Sequence, residues 1–272
     1  MCRLLAVVSS EATDFRFSLR DAPRNLAHLS HEHPDGWGLA VHDADHGWTV
    51  AKHPEKAHAD PRFEHAAGRA RGTVLVAHIR KATVGATSAA NTHPFRRDRW
   101  VFAHNGTVRD TAWLAEQTSR TRRIEIEGDT DSERFFAFLL SRLDETADAD
   151  AGPALWSAME EAMARADLGS ANFVLSDGAV LFAFRRGRDL HVLERGLGDR
   201  VRPSRRSTET GAVVDTPWSA RRQAVLIASE RMTDEPWREI AEGTLVTVGA
   251  GPYPTVRVVG ALRDPAIGPT PP

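Results

Sequence analysis

Cys2 is the only cysteine among 272 residues, and it stands directly behind the initiator methionine. Met1 is commonly removed when a small residue follows it, and the chain would then begin with a cysteine whose free α-amino group lies beside its own thiol. An α-amine with an unperturbed pKa of about 7.7–8.0 can accept a proton near neutrality, and a thiol of about 8.5 is readily activated. One residue would then supply both nucleophile and base. On position alone, the alternative is an incidental second residue. Eleven of the twelve histidines precede residue 105, among them His28, His31 and His33. Such a density could bind zinc, but there is no second cysteine and no HExxH arrangement, so solvated or hydrogen-bonded histidines are expected, with no metal.

The elements that must position these residues can be read from the apolar pattern. RLLAVVS, from Arg3 to Ser9, reads as a buried strand that puts Cys2 at its tip. After the punctuation His33-Pro34-Asp35-Gly36-Trp37-Gly38, LAVHD reads as a second strand. A short helix is expected over Arg62–Arg71, then strands over Thr73–Ile79 and Trp100–His104, the latter running into the turn-prone dipeptide Asn105-Gly106. The period then changes. Ser132–Leu143 and Pro153–Ala166 space their apolar residues at three and four and read as helices, with Pro153 at a helix start. Short apolar runs follow at NFVLS (from Asn172), AVLFAF (Ala179), LHVLE (Leu190), AVLIAS (Ala224), TLVTV (Thr244) and TVRVV (Thr255). Strands at both ends around a helical middle predict an α+β fold rather than alternating βαβ units. The Arg-rich stretch Arg200–Arg222 reads as a long exposed loop. No internal repeat or linker divides the chain, so one domain over 1–272 is expected, with about 262–272 as a flexible tail.

Six motifs occur in order: Met1-Cys2, Asp35-Gly36-Trp37-Gly38, AHIRKAT from Ala77 to Thr83, NTHPF from Asn91 to Phe95, His104-Asn105-Gly106, and GDTDSE from Gly128 to Glu133. Singly they carry little weight. In this order they resemble the class II glutamine amidotransferases, a branch of the N-terminal-nucleophile (Ntn) hydrolases, and the small stand-alone members in particular. The likeness extends to AVLIASERMTDEPWREIAEGTLVTV near the far end. It implies a four-layer αββα sandwich, with Cys2 as nucleophile and no metal or organic cofactor. By the same resemblance Arg80 grips the α-carboxylate of glutamine, a task suited to its planar fork, and Asp131 receives the α-ammonium. Asn105 and Gly106 form the oxyanion hole, while Thr83 and His93 line or support the pocket. Better-known members with attached synthase domains often carry an aromatic residue and a histidine where this chain has Lys81 and Val84.

Plainer readings stand beside these. Arg80 could be a strand-end surface charge, Asp131 a helix cap, Asn105-Gly106 an ordinary turn, and Gly36 and Gly38 turn glycines, although the last two also suit close backbone approach to a small substrate.

Composition bounds the function. With 35 Lys+Arg against 37 Asp+Glu the net charge is -2, which gives no reason to expect a nucleic-acid partner. No run approaches the roughly 18 apolar residues that span a bilayer, and the apolar start is too short for a secretory signal, so a cytoplasmic protein is expected. The amidotransferase unit would occupy essentially the whole length and leave no room for a synthase domain. Three functions follow: a glutaminase that yields glutamate and ammonia for a separate synthase subunit, a γ-glutamyl hydrolase acting on a peptide or thiol conjugate, or a non-catalytic glutamine sensor. Cys2 and Asn105 beside Arg80 and Asp131 favour catalysis, because a sensor needs no nucleophile.

Overall fold

A computed structural model describes residues 2–21, 25–82, 85–146, 151–196, 205–206, 213–214 and 222–262. The strands are β1 (Arg3–Asp14), β2 (Trp37–Asp43), β3 (Gly47–His53), β4 (Arg71–Ile79), β5 (Phe95–Arg97), β6 (Trp100–Thr107), β7 (Ser170–Ser176), β8 (Val180–Arg185), β9 (His191–Arg195), β10 (Arg205–Arg206), β11 (Val213–Val214), β12 (Ala224–Ala228), β13 (Arg238–Glu239), β14 (Thr244–Gly249) and β15 (Val256–Ala261). The helices are α1 (Leu26–Leu29), α2 (Pro61–Gly68), α3 (Thr111–Gln117), α4 (Arg120–Arg123), α5 (Asp131–Leu143) and α6 (Ala151–Arg165). One sheet has the order β13-β9-β12-β1-β4-β2-β3 and the other β15-β14-β8-β7-β6-β5, while β10 and β11 pair separately. The pairings are antiparallel, as a chain whose strands follow one another through short connections allows.

Residue parity shows how the layers stack. Along β1, Leu4, Ala6 and Val8 face a core shared with Val74 and Val76 of β4 and with Val101, Ala103 and Val174 of the other sheet. Leu5 and Val7 face the opposite way, onto Phe15, Leu26, Phe63 and Trp237. In the second sheet Phe102, Phe173 and Phe184 turn outward onto α5 and α6 through Phe135, Leu139, Leu155 and Met159. Both sheets are therefore covered on both faces, which is why β1, β4 and β6 read as nearly continuous apolar runs. The result is the expected αββα sandwich, with three apolar layers separating its four structural ones.

Several local expectations shift. Asp60 caps Pro61–Gly68 by accepting from Arg62 N at 2.9 Å, so that helix stops at Gly68 and β4 begins at Arg71 rather than Thr73. Strand β6 does not end at His104: it continues through Asn105 and Gly106 to Thr107, paired with Ser170–Asn172, which replaces the turn reading. The β3 strand GWTVAKH was missed because only part of its length is apolar. The Arg200–Arg222 stretch falls almost entirely outside the described residues, as does the tail beyond Leu262. Among the described residues no helix is long and apolar enough to cross a membrane.

Candidate active site

The antiparallel register pairs Leu4 with His78 and Arg3 with Ile79. One further step sets Cys2 level with Arg80 at the open end of the two sheets. Even-numbered residues of β1 and β4 and odd-numbered residues of β6 face the core between the sheets, so Cys2, His78 and Asn105 continue three apolar rows into one polar end. The Cys2 thiol lies against the backbone of Lys81. Lys81 N donates to Sγ at 3.3 Å, and Sγ lies 3.4 Å from the Lys81 carbonyl oxygen. Asn105 Nδ2 donates to the Cys2 carbonyl at 2.9 Å, which ties the first residue of one sheet to the last turn of a strand in the other. Burial pushes the thiol above its ordinary pKa. The Lys81 N–H, the chain's amino terminus, Arg80 and Arg188 pull it back in part.

Arg80 is buried at the exit of β4. Its backbone pairs with the Asp35-Gly36 turn, Arg80 N donating to Gly36 O at 2.8 Å and Asp35 N to Arg80 O at 3.1 Å, and its Nη2 donates to Gly85 O at 3.3 Å. Asp35 also accepts from Ala82 N at 2.8 Å, so the DGWG turn holds the segment that carries Arg80 and Lys81. A strand-end surface charge is thus not what Arg80 is. Asp131 is buried at the first turn of α5 and accepts from Val108 N at 2.7 Å through Oδ2. The cap of α5 is Thr130, which accepts from Glu133 N at 3.3 Å, so the capping reading passes from Asp131 to its neighbour. Glu133 does not close the capping box, because its carboxylate accepts from Glu127 N at 3.0 Å, Gly128 N at 2.6 Å and Arg97 Nη2 at 2.8 Å.

Two glycines mark close approach. A Cβ on Gly106 would lie 1.9 Å from the Ser170 carbonyl oxygen and 2.6 Å from His104 Nε2, and one on Gly38 would lie 2.0 Å from the His93 carbonyl oxygen. Only a residue without a side chain lets these backbones meet.

His93 packs against His78 at a tilt of 44° with ring centroids 4.4 Å apart, and against Phe95 at 53° and 4.5 Å. Both imidazoles are buried and their ring nitrogens make no hydrogen bond among the described residues. Burial holds both neutral, His78 down to about 3 and His93 well below its ordinary value. His104 is fixed instead by hydrogen bonds, Nδ1 lying 2.8 Å from Ser132 Oγ and Nε2 3.3 Å from Ser170 O. Burial lowers its pKa against the pull of the Asp131 carboxylate. These rings do not converge on a common point: no group of three or more His, Cys, Asp or Glu side chains that could hold a metal ion occurs among the described residues. Thr83 lies outside the described residues, as does Val84.

The family model for class-II glutamine amidotransferases matches residues 1–266. The chain belongs to that family. It is 31% identical over 263 residues to an uncharacterized protein of Methanocaldococcus jannaschii, covering 92% of this chain and 70% of that one. Among solved structures it resembles a glutamine aminotransferase class-II domain protein of Silicibacter pomeroyi, at 21% identity and a TM-score of 0.58 over 94% of this chain and 99% of that one. It also resembles the glutamine phosphoribosylpyrophosphate amidotransferase of Bacillus subtilis, at 14% identity and a TM-score of 0.63 over 95% of this chain. The match covers 49% of the Bacillus chain, so this amidotransferase corresponds to about half of it.

Several groups at the site were not assigned from sequence. Asn172, fully buried and opposite Asn105 in the strand register, donates from Nδ2 to the carbonyls of Arg188 and Asp189 at 3.0 Å each and accepts from Arg186 N at 2.7 Å. Asn91 pins loop to loop, donating to Ala86 O at 2.9 Å and accepting from Asp129 N at 3.0 Å. The signal for Ser170 and Asn172 lay in SANFVLS, where polar side chains occupy the inward positions of an otherwise apolar strand.

Proposed function

We propose that this amidotransferase cleaves the γ-amide of a γ-glutamyl substrate, glutamine being the simplest, with Cys2 as the nucleophile after removal of Met1. The observation that carries this reading is the Cys2 thiol seated against Lys81 N at 3.3 Å, with the Asn105 amide 2.9 Å from the Cys2 carbonyl. Burial keeps the resting thiol protonated, so attack needs a base. The freed α-amine takes the thiol proton as sulfur bonds to the γ-carbonyl carbon. Oxygen becomes the oxyanion, within reach of the second Nδ2 hydrogen of Asn105 and of the Gly106 backbone N–H. The amine returns its proton to the departing nitrogen, the C–N bond breaks and ammonia leaves. Water then hydrolyses the thioester, giving glutamate and the free thiol. Arg80 and Asp131 hold the α-carboxylate and α-ammonium, and His93 supports the pocket from beneath Gly38. Thr83 is assigned to the same pocket by resemblance alone. With glutamine as the substrate, the ammonia would pass to a separate synthase subunit. The reading implies a reducing, cytoplasmic setting that keeps Cys2 a thiol.

The test is glutamate release from L-glutamine and a small γ-glutamyl panel, comparing wild type with Cys2→Ala at matched circular dichroism, with intact mass reporting Met1. Release that disappears in Cys2→Ala is expected. Undiminished release in that variant would overturn the mechanism.

A further inference from the structure

A second guanidinium stands at the site. Arg188 lies in the crossover that leaves β8 of one sheet and enters β9 of the other, and that crossover is clamped: its backbone carbonyl accepts from Asn172 Nδ2 at 3.0 Å and from Arg185 Nε at 2.9 Å. The side chain is half-buried, with Nε donating to Ser170 Oγ at 3.1 Å. Ser170 is the strand partner of Thr107, and its hydroxyl accepts from Thr107 N at 3.2 Å, while its carbonyl is the group that approaches Gly106 so closely. The guanidinium is therefore tied through the Ser170 hydroxyl to Thr107, the residue of β6 that follows Asn105-Gly106. Its charge reaches both the Cys2 thiol and His104. Its two terminal nitrogens make no hydrogen bond or ion pair among the described residues, and the adjacent Asp189 turns instead toward Arg185.

Charge counting gives this a meaning. Glutamine brings one carboxylate and one ammonium, which Arg80 and Asp131 answer under the function proposed above, on which this inference rests. Arg188 is left over, fixed at one nitrogen and open at the other two, beside the groups assigned to the reacting carbonyl rather than beside Arg80. We propose that Arg188 recognises a carboxylate on the leaving amine, so that the preferred substrate is a γ-glutamyl amide of an amino acid rather than glutamine itself. The step is unchanged: sulfur displaces the amino acid's nitrogen, which departs protonated as a free amino acid, and water releases glutamate.

The experiment compares γ-glutamylglycine with γ-glutamylmethylamide, which differ at the leaving group by the carboxylate, for wild type, Arg188→Gln and Arg188→Lys. A charge-assisted, two-pronged contact predicts a kcat/KM ratio of about tenfold or more in favour of γ-glutamylglycine. That ratio should fall toward one in Arg188→Gln and be partly kept in Arg188→Lys. Cys2-dependent turnover of both amides with a wild-type ratio near one would overturn the inference and leave the function standing. So would an Arg188→Gln variant that slows both amides equally, since that is the mark of an effect on the thiol alone. If neither amide nor glutamine is turned over, the proposed function fails, and alkylation of the single cysteine still decides about Arg188. The iodoacetate-to-iodoacetamide rate ratio should then drop severalfold in Arg188→Gln, and an unchanged ratio would sink the inference.

Discussion

His78 makes the sharpest physical prediction. It is completely buried on β4, its ring tilted against that of His93 at 4.4 Å, with His104, Arg80 and His33 as the other charged or titratable groups that act on it. Apolar surroundings and nearby positive charge both disfavour the imidazolium, and its pKa falls from the ordinary 6.5 to about 3. The unfolded chain therefore binds a proton at a pH where the folded chain does not. Stability contributed by neutral His78 is complete above about pH 6.5 and is lost progressively as pH falls toward about 3. Between pH 7.5 and 5.0 the difference comes to about 2 kcal/mol from this residue alone. The assay is urea unfolding of wild type and His78→Leu at both pH values. Leu replaces the ring by an apolar group of similar size, in a core already lined by Val76 and Val101. Absolute stability can move either way. The acid-induced loss between pH 7.5 and 5.0 should be smaller in the variant by about 2 kcal/mol. Equal losses would mean that His78 titrates in the folded chain as it does in the unfolded one.

Two further outcomes follow from the same geometry. Asn105→Ala removes the tie to the Cys2 carbonyl and, under the proposed function, the side-chain donor to the oxyanion, so kcat for glutamate release should fall about 10²- to 10³-fold with KM moving far less. A variant whose KM alone changes would place Asn105 outside the reaction. Gly106→Ala puts a methyl 1.9 Å from the Ser170 carbonyl, and two paired backbone segments cannot both hold. Urea unfolding should show a loss of about 1–3 kcal/mol or more, and unchanged stability would contradict the strand register.

How legible all this was depended on whether a residue's role is local. Apolar runs covered on both faces announce β1, β4 and β6 directly, because no solvent-facing alternation dilutes them. The β3 strand has one thin apolar stretch and was invisible for that reason. The strand through Asn105-Gly106 ran against local preference: turn chemistry favours a bend there, and pairing with Ser170–Asn172 overrides it. Cys2, Arg80 and Asp131 could be proposed from sequence because each stands in a motif. Arg188 could not, since only the crossover between sheets brings a residue roughly eighty positions from Asn105 to the same end of the sandwich, while Asn172 left only the weak signal of a polar residue at an inward position of β7.

The histidine-rich first third of the chain suggests a thiol activated by imidazole, and the geometry argues otherwise. His78 and His93 are buried against each other and held neutral. His104 has both nitrogens occupied, by Ser132 and by Ser170. His33 is buried with its pKa down to about 4 and no hydrogen bond to its ring. Among the described residues the hydrogen-bonding contacts of the thiol are with the Lys81 backbone alone, and neither Lys81 N–H nor Lys81 carbonyl can take its proton away. Burial meanwhile raises the thiol, which makes the missing base more necessary. Under the proposed function, the α-amine that removal of Met1 frees on Cys2 would answer that need, with no other side chain recruited. The four neutral histidines then have a different use. Held neutral by burial, they add no charge of their own beside Arg80 and Asp131, which under the proposed function would meet the substrate in surroundings that screen less than bulk water.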